Sequence, residues 1–110
     1  MQCEIKEEAG YSVILLSGEI DLSTSPQARK AILERLGAGQ AVCVDMSGVS
    51  YIDSSGVASL VEGYQTARTR KLGFCLVGVS EAAMSVLELA RLDKIFPIYK
   101  TAAECPGNGG

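Results

Sequence analysis

The run at residues 41–46, Ala-Val-Cys-Val-Asp-Met, is short, apolar and rich in β-branched residues. This composition is typical of a strand that is buried on both faces of a sheet. A second apolar run lies at residues 74–79, and between the two runs apolar residues recur at helical spacing from Val57 to Tyr64. Because strands that alternate with helices pair in parallel, the pattern predicts a parallel sheet at the centre of the fold.

The segment before residue 41 predicts a hairpin followed by a helix. Residues 3–7 and 11–17 alternate or are β-rich, and a glycine-containing turn joins them, which favours two antiparallel strands. The helix is predicted to begin with Ser25 as its cap and Pro26 at its first helical position.

The C-terminal third predicts one more helix and one more strand. The helix opens at Ser80, and the strand at residues 95–99 is interrupted by Pro97, which favours a sheet edge. The predicted order is β-β-α-β-α-β-α-β, a single α/β domain whose mixed sheet has an antiparallel first pair and a parallel remainder, with helices packed on it. We assign this domain to residues 1–104, and residues 105–110, rich in glycine, proline and asparagine, are predicted to be a flexible tail.

Length and charge limit the partners and the compartment. A chain of 110 residues fits one domain, and its net charge of −3, without a basic cluster, argues against nucleic acid as a partner. The N-terminus lacks the pattern of a signal peptide, and the apolar runs are too short to span a bilayer. We therefore expect a cytoplasmic protein that does not insert into a membrane.

The four cysteines predict neither a disulfide nor a metal site. No two of them have the C-x-x-C spacing, and the chain contains no histidine to complete a mixed zinc site. Cys43 and Cys75 lie in apolar runs, where a free thiol packs as a small hydrophobic side chain. The expectation is therefore structural thiols in a reducing compartment.

The absence of histidine also bears on catalysis, because Ser-His-Asp and Cys-His arrangements both require it. Gly73 and Gly78 flank a strand, without the lysine of a phosphate-binding loop. Asp45 and Asp53 could form an acid–base pair, but nothing in so small a domain suggests a substrate pocket. We expect a protein that is not an enzyme and that holds neither a metal nor a cofactor.

The segment Asp-Ser-Ser-Gly at residues 53–56 stands where a loop enters the second helix. Helix capping explains one serine or aspartate at such a place. Three consecutive hydrogen-bonding side chains exceed that need, and the glycine is expected to open the backbone to close approach. Acidic residues Glu19 and Asp21 end the preceding connection, which lies beside this one if the sheet is parallel.

These motifs resemble those of the STAS domain, the family named for sulphate transporters and anti-sigma-factor antagonists. The resemblance covers nearly the whole chain. It rests on Gly-Glu-Ile-Asp at residues 18–21, Val-Asp-Met-Ser-Gly-Val at residues 44–49, and Tyr-Ile-Asp-Ser-Ser-Gly-Val at residues 51–57. Val57-Ala58 replaces the Leu-Gly of many members and keeps the apolar character of the inward position.

In the soluble bacterial members, a partner kinase phosphorylates the second serine of the motif, and the resemblance assigns that role to Ser55. It also implies that Asp21 and Asp45 are acidic positions near the phosphorylation site and that Asp53 is the motif aspartate. The implied partner-binding residues are Asp21, Asp45, Asp53, Ser54, Ser55 and Gly56.

The resemblance implies an anti-sigma factor antagonist that regulates transcription by partner switching. The unphosphorylated form would bind an anti-sigma factor that is also a serine kinase, and phosphorylation of Ser55 would release it until a PP2C-type phosphatase removes the phosphate. ATP and its magnesium belong to the kinase, so no cofactor is assigned to this chain. We expect the phosphate to act by like-charge crowding against Asp21, Asp45 and Asp53.

Two other members of the family stay open as alternatives. One is a non-switching STAS subunit of a membrane lipid-transport ATPase complex, in which Thr-Ala often stands where this chain has Ser54-Ser55. The other is an oligomeric signalling scaffold, which usually carries an additional sensor domain. The two serines favour the switch.

Overall fold

A computed structural model describes residues 1–106 as a sheet with helices on it, in the order predicted from the sequence. The elements are β1 (Gln2–Glu8), β2 (Tyr11–Ile20), α1 (Ser25–Gly37), β3 (Val42–Ile52), α2 (Ser54–Thr69), β4 (Phe74–Val77), α3 (Glu81–Leu89) and β5 (Ile98–Tyr99). A 3₁₀ turn, Ala102–Glu104, follows β5.

The strands lie in the order β1-β2-β3-β4-β5. β1 and β2 are antiparallel, and the three remaining pairs are parallel, which confirms the predicted mixed sheet. β5 is a two-residue edge strand that follows Pro97, and β1 forms the other edge with most of its residues exposed.

The sheet has two unequal apolar faces because successive strand residues point in opposite directions. On β2, Ile14, Leu16 and Ile20 belong to the larger core, which the three helices cover. Tyr11 and Val13 belong to a smaller cluster on the opposite face, together with Ala102 of the C-terminal 3₁₀ turn. The chain after β5 therefore covers a face that the helices leave open.

Each helix buries one stripe of residues. In α1 the buried side chains Ala28, Ile32 and Leu36 recur every fourth residue, and α2 buries Leu60 and, two turns later, Ala67. Within residues 1–106, no helix is both long and apolar enough to cross a membrane.

Two strands run further than predicted. The sequence suggests a turn at Ser47-Gly48 and a connection from Gly18 onward, but β3 continues to Ile52 and β2 to Ile20. Irregularities of register between Leu15 and Ser17, and again after Gly18, let the parallel pairing resume. A side chain on Gly48 would lie 2.8 Å from the Cβ of Ser17, so this glycine serves close strand pairing rather than a turn.

The prediction of four free thiols is wrong for two of them. Cys75 and Cys105 form a disulfide across 30 residues of sequence, while Cys3 and Cys43 are free. The partners meet because the chain folds back over the sheet, which local cysteine spacing does not reveal.

The structure also bears on the segment 105–110, predicted to be a flexible tail. Cys105 is held by the disulfide, and the carbonyl of Pro106 accepts a hydrogen bond of 2.6 Å from the Tyr11 hydroxyl. The first two residues of the segment therefore pack on the domain, and residues 107–110 lie outside the described part of the chain.

Candidate functional site

The carboxyl ends of β2 and β3 bring two acidic residues together. Ile20 and Ile52 are partners in the parallel ladder, and the amide of Asp53 donates a 3.1 Å hydrogen bond to the carbonyl of Ile20. Asp21 and Asp53, the first residues after their strands, therefore lie at the same corner of the sheet. This confirms the prediction that the two connections are neighbours.

Asp53 caps α2 and at the same time holds Ser55. Its Oδ1 accepts hydrogen bonds from the amides of Ser55 (2.9 Å) and Gly56 (3.3 Å) and from the Ser55 hydroxyl (2.5 Å). These bonds, the one from the Ser55 side chain above all, lower the pKa of Asp53. Asp53 is therefore an ionised acceptor at neutral pH, and Ser55 is fixed against it.

The two serines of the motif have different surroundings. Ser54 is exposed, whereas Ser55 is half-buried and its hydroxyl is bound to Asp53. The carbonyl of Ser55 also accepts a hydrogen bond of 3.1 Å from the hydroxyl of Ser59, one turn along α2. Accessibility alone would favour Ser54 as a modified residue, but only Ser55 has a hydroxyl whose direction Asp53 sets.

Asp21 organises the turn between β2 and α1. Its Oδ1 accepts hydrogen bonds from the amide (3.0 Å) and hydroxyl (2.7 Å) of Ser23 and from the amide of Thr24 (3.2 Å). The bond from the Ser23 hydroxyl contributes most to the lowered pKa of Asp21. Desolvation and, to a smaller extent, the charge of Asp21 act in the opposite sense and raise the pKa of Asp53, but the hydrogen bonds outweigh them. Two ionised carboxylates therefore share this corner.

Gly56 has a different role from the predicted one. It is buried, and a Cβ at this position would lie 2.6 Å from Cγ1 of Ile52 and 2.8 Å from Cγ2 of Ile20. The glycine thus lets α2 approach the ends of β2 and β3. It does not open the backbone to a partner, because the two isoleucines cover it.

Asp45 lies elsewhere on the sheet, contrary to the expectation that it flanks Ser55. It pairs with Leu15 and Val77, and β2 continues for five residues from Leu15 to the site, a distance of roughly 17 Å. Its Oδ1 accepts hydrogen bonds from the amide (3.0 Å) and hydroxyl (2.7 Å) of Ser47. Asp45 therefore makes its hydrogen bonds within β3 and not at residues 53–56.

Two exposed apolar side chains border the site and were not predicted. Leu22, in the turn after Asp21, is 78% exposed, and Tyr51, which pairs with Glu19 near the end of β3, is 49% exposed. A leucine between Asp21 and Ser23 is a sequence signal for such an anchor, because turns are usually polar. We call the combined surface the strand-end surface; it comprises Asp21, Leu22, Tyr51, Asp53, Ser54 and Ser55.

The strand-end surface has the chemistry of a protein contact. It combines two exposed apolar side chains, two ionised carboxylates, and two serine hydroxyls at the start of a helix. Exposed apolar groups ringed by polar groups are typical of interaction sites.

Comparison with known proteins shows the family of the chain. The profile of the STAS domain matches residues 2–105. The anti-sigma-B factor antagonist of Listeria monocytogenes is 31% identical over 107 residues, which cover 96% of this chain and 94% of that protein. The anti-sigma F factor antagonist of Paenibacillus polymyxa is 26% identical over 101 residues, 90% of this chain and 86% of that protein. A crystal structure of an anti-sigma factor antagonist from Mycobacterium paratuberculosis has a TM-score of 0.79 at 31% identity and covers 92% of this chain and 86% of that chain. This protein therefore belongs to the STAS domain family.

Proposed function

We propose that this protein is an anti-sigma factor antagonist and that phosphorylation of Ser55 controls its affinity for its partner. The observation that carries the proposal is the Ser55 hydroxyl, which is bonded to Asp53 in the first turn of α2 and is half-buried. The ends of β2 and β3 at this site also carry the exposed side chains Leu22 and Tyr51. Relatives that match nearly the full length of the chain bear the name of anti-sigma factor antagonists, which supports the binding role.

The partner is an anti-sigma factor that is also a serine kinase. It supplies the ATP, the magnesium and the catalytic groups, and a PP2C-type phosphatase later removes the phosphate from Ser55. The cycle takes place in the cytoplasm, and its output is the availability of a sigma factor for transcription.

Asp53 prepares Ser55 for phosphoryl transfer. The hydroxyl hydrogen points at Oδ1 of Asp53 over a 2.5 Å hydrogen bond, so the lone pairs of the serine oxygen are free for the incoming γ-phosphoryl group. In the transfer, a bond forms between the Ser55 oxygen and the γ-phosphorus, the bond between that phosphorus and the ADP oxygen breaks, and the serine proton passes along its hydrogen bond to Oδ1 of Asp53 and from there to solvent. Because phosphoryl transfer depends mainly on positioning and charge stabilisation, holding the hydroxyl in one direction favours the reaction.

The phosphate then acts on the same hydrogen bonds. Phosphoserine carries about −1.5 to −2 charges and no longer donates a hydrogen to Asp53. Free amides at a helix start can bind an anion, but the amides of Ser55 and Gly56 already donate hydrogen bonds to Asp53. The new charge must therefore compete with Asp53 for these amides or project outward into the contact, and Asp21 adds like-charge repulsion.

The size of the effect is sufficient for a switch without a change of fold. A charge left unpaired in an interface weakens binding by ~2–5 kcal/mol, or roughly 30- to several-thousand-fold. Because Asp45 lies roughly 17 Å away along the sheet, we assign the repulsion to Asp21 and Asp53.

The adjacent serines allow a matched test. The cognate kinase and labelled ATP are incubated with Ser55→Ala and Ser54→Ala, and phosphate uptake is measured by intact mass; uptake should be lost in the first and kept in the second. Calorimetry should give Ser55→Asp an affinity for the partner at least ten-fold below that of Ser54→Asp, which adds the same charge one residue away. Normal phosphate uptake by Ser55→Ala would show that the modified residue is another one.

A further inference from the structure

Three sulfur atoms meet on the sheet face that the helices leave open. Cys43 of β3 and Cys75 of β4 are direct partners in the parallel ladder, and both are buried. Cys105 reaches them from the end of the chain, so that the Sγ atoms of all three cysteines lie within 4.8 Å of one another. Cys3 lies apart from this cluster, since it pairs with Leu16 on the other side of β2 from β3.

The segment that carries Cys105, residues 100–106, also contacts the domain through Ala102 and Pro106. Ala102 is buried in the apolar cluster of this face. The Tyr11 hydroxyl of β2 donates a hydrogen bond of 2.6 Å to the carbonyl of Pro106. Within the segment, the Glu104 carboxylate accepts hydrogen bonds from the amides of Lys100 (3.0 Å) and Thr101 (3.2 Å), which fix its shape. The segment thus places Cys105 over Cys75 with a Cα–Cα distance of 7.0 Å, at the upper end of what a disulfide bridges.

We propose that the Cys75–Cys105 disulfide is a reversible modification site, set by exchange with small-molecule thiols and disulfides, that clamps residues 100–106 onto the open face of the sheet. Oxidation holds residues 100–106 over the apolar cluster that contains Tyr11, Val13, Cys43 and Val77. Reduction leaves the segment attached only by its non-covalent contacts. The proposal does not depend on the phosphorylation of Ser55.

The exposure of the two sulfurs sets the order of the chemical steps. Cys105 is half-buried and Cys75 is buried, so an external reagent reaches Cys105 first. In oxidation, the Cys105 thiolate attacks a small disulfide RSSR and expels one thiolate. The Cys75 thiolate then attacks the Cys105 sulfur and expels the second. Two protein thiols lose two protons and two electrons, and RSSR becomes two RSH.

Cys43 is close enough to take part but is kept unreactive. Burial above all, then the charges of Asp45 and Glu8, raises the pKa of its thiol to about 12. Since the thiolate is the attacking form, Cys43 exchanges slowly with the disulfide beside it. The pairing of Cys75 with Cys105 is therefore favoured over the alternatives.

The test uses the full chain and the cysteine outside the cluster as control. Native protein is equilibrated in mixtures of reduced and oxidised glutathione, quenched in acid, alkylated in denaturant and weighed. We expect one two-electron transition between four and two free thiols, with the disulfide mapping to Cys75 and Cys105. Cys3→Ser should keep the transition, and Cys105→Ser should abolish it. Cys105 is chosen over Cys75 because a substitution at half-buried Cys105 disturbs the packing of the core less than one at buried Cys75.

Thermal stability and the alkylation rate of Cys43 test whether the disulfide holds residues 100–106 on the sheet. Reduction should lower the melting temperature by roughly 10 °C or more in wild type and in Cys3→Ser, and should leave Cys105→Ser unchanged. Reduction should also speed native alkylation of Cys43 at least ten-fold.

Three results would overturn the proposal. The first is four free thiols in fully oxidising glutathione, and the second is a disulfide that maps to Cys3 or Cys43. The third is the retention of one equivalent of Zn²⁺ by the reduced protein, lost on replacing Cys43, Cys75 or Cys105 and kept in Cys3→Ser; the cluster would then be a metal site.

Discussion

Replacing Gly56 with alanine should destabilise the fold, although alanine is the better helix former. The new Cβ would stand 2.6 Å from Ile52 and 2.8 Å from Ile20, about 0.8 and 0.6 Å inside ordinary contact. Both isoleucines are fully buried and β-branched, so they cannot swing aside. Overpacking of this kind lowers the free energy of unfolding by ~1–3 kcal/mol, and the higher helix propensity of alanine raises it by ~1 kcal/mol at most. We expect a net loss of about 1–2 kcal/mol.

Gly37 provides the matched control, because it ends α1 and a Cβ there would meet nothing within 4 Å. Gly37→Ala should be neutral or stabilise the protein by ~0.5 kcal/mol. Urea denaturation followed by circular dichroism should therefore separate the two variants by roughly 2 kcal/mol at similar m-values. A Gly56→Ala midpoint equal to that of wild type or higher would refute the packing argument, and the motif glycine would then need another explanation.

Three further predictions concern the same region and its support. Asp53→Asn keeps a capping side chain but removes a carboxylate whose pKa is lowered by folding. In wild type this carboxylate stabilises the fold above its usual pKa of about 4, and the stabilisation is lost as the pH falls through the lower pKa of the folded state. Melting temperatures should therefore fall less steeply from pH 7 to 3 in Asp53→Asn than in wild type. Ser80→Ala loses both the cap of α3 and a 2.6 Å hydrogen bond to β3 and should cost ~1–2 kcal/mol in urea denaturation, whereas Ser85→Ala on the exposed side of α3 should stay within ~0.5 kcal/mol. Leu22→Ala should weaken partner binding about ten-fold by calorimetry, and Leu89→Ala, which is equally exposed but on α3, should leave it unchanged; equal effects of the two would remove Leu22 from the contact.

The features predicted correctly from the sequence depend on local patterns. Apolar periodicity is a property of neighbouring residues, and it was enough for the order of the elements and the mixed sheet. The cap at the start of α2 is equally local, because Asp53 binds groups only two and three residues away. The position of Ser55 beside a carboxylate follows from the same short segment.

The features that were missed depend on distant parts of the chain. Gly56 is constrained by Ile20, which precedes it by 36 residues, and Cys75 meets Cys105 only after the chain crosses the sheet. The resemblance to the STAS domain implied that Asp45 lies near the motif, and Ser47-Gly48 in the sequence favours a turn directly after it. The parallel pairing with β2 overrides that local turn signal and carries β3 six residues further.

The exposure of β1 has a consequence for how copies of this protein behave towards one another. An edge strand presents unpaired amides and carbonyls on which a second chain could add a strand. Here that edge carries Glu4, Lys6, Glu7 and Glu8, with a 3.2 Å ion pair between Lys6 and Glu8, and the opposite edge is only two residues long after Pro97. The charged side chains of β1 and the short length of β5 both oppose the addition of a strand from a second copy. Exposed Leu22 and Tyr51 can therefore contact a partner while the sheet edges do not promote self-association.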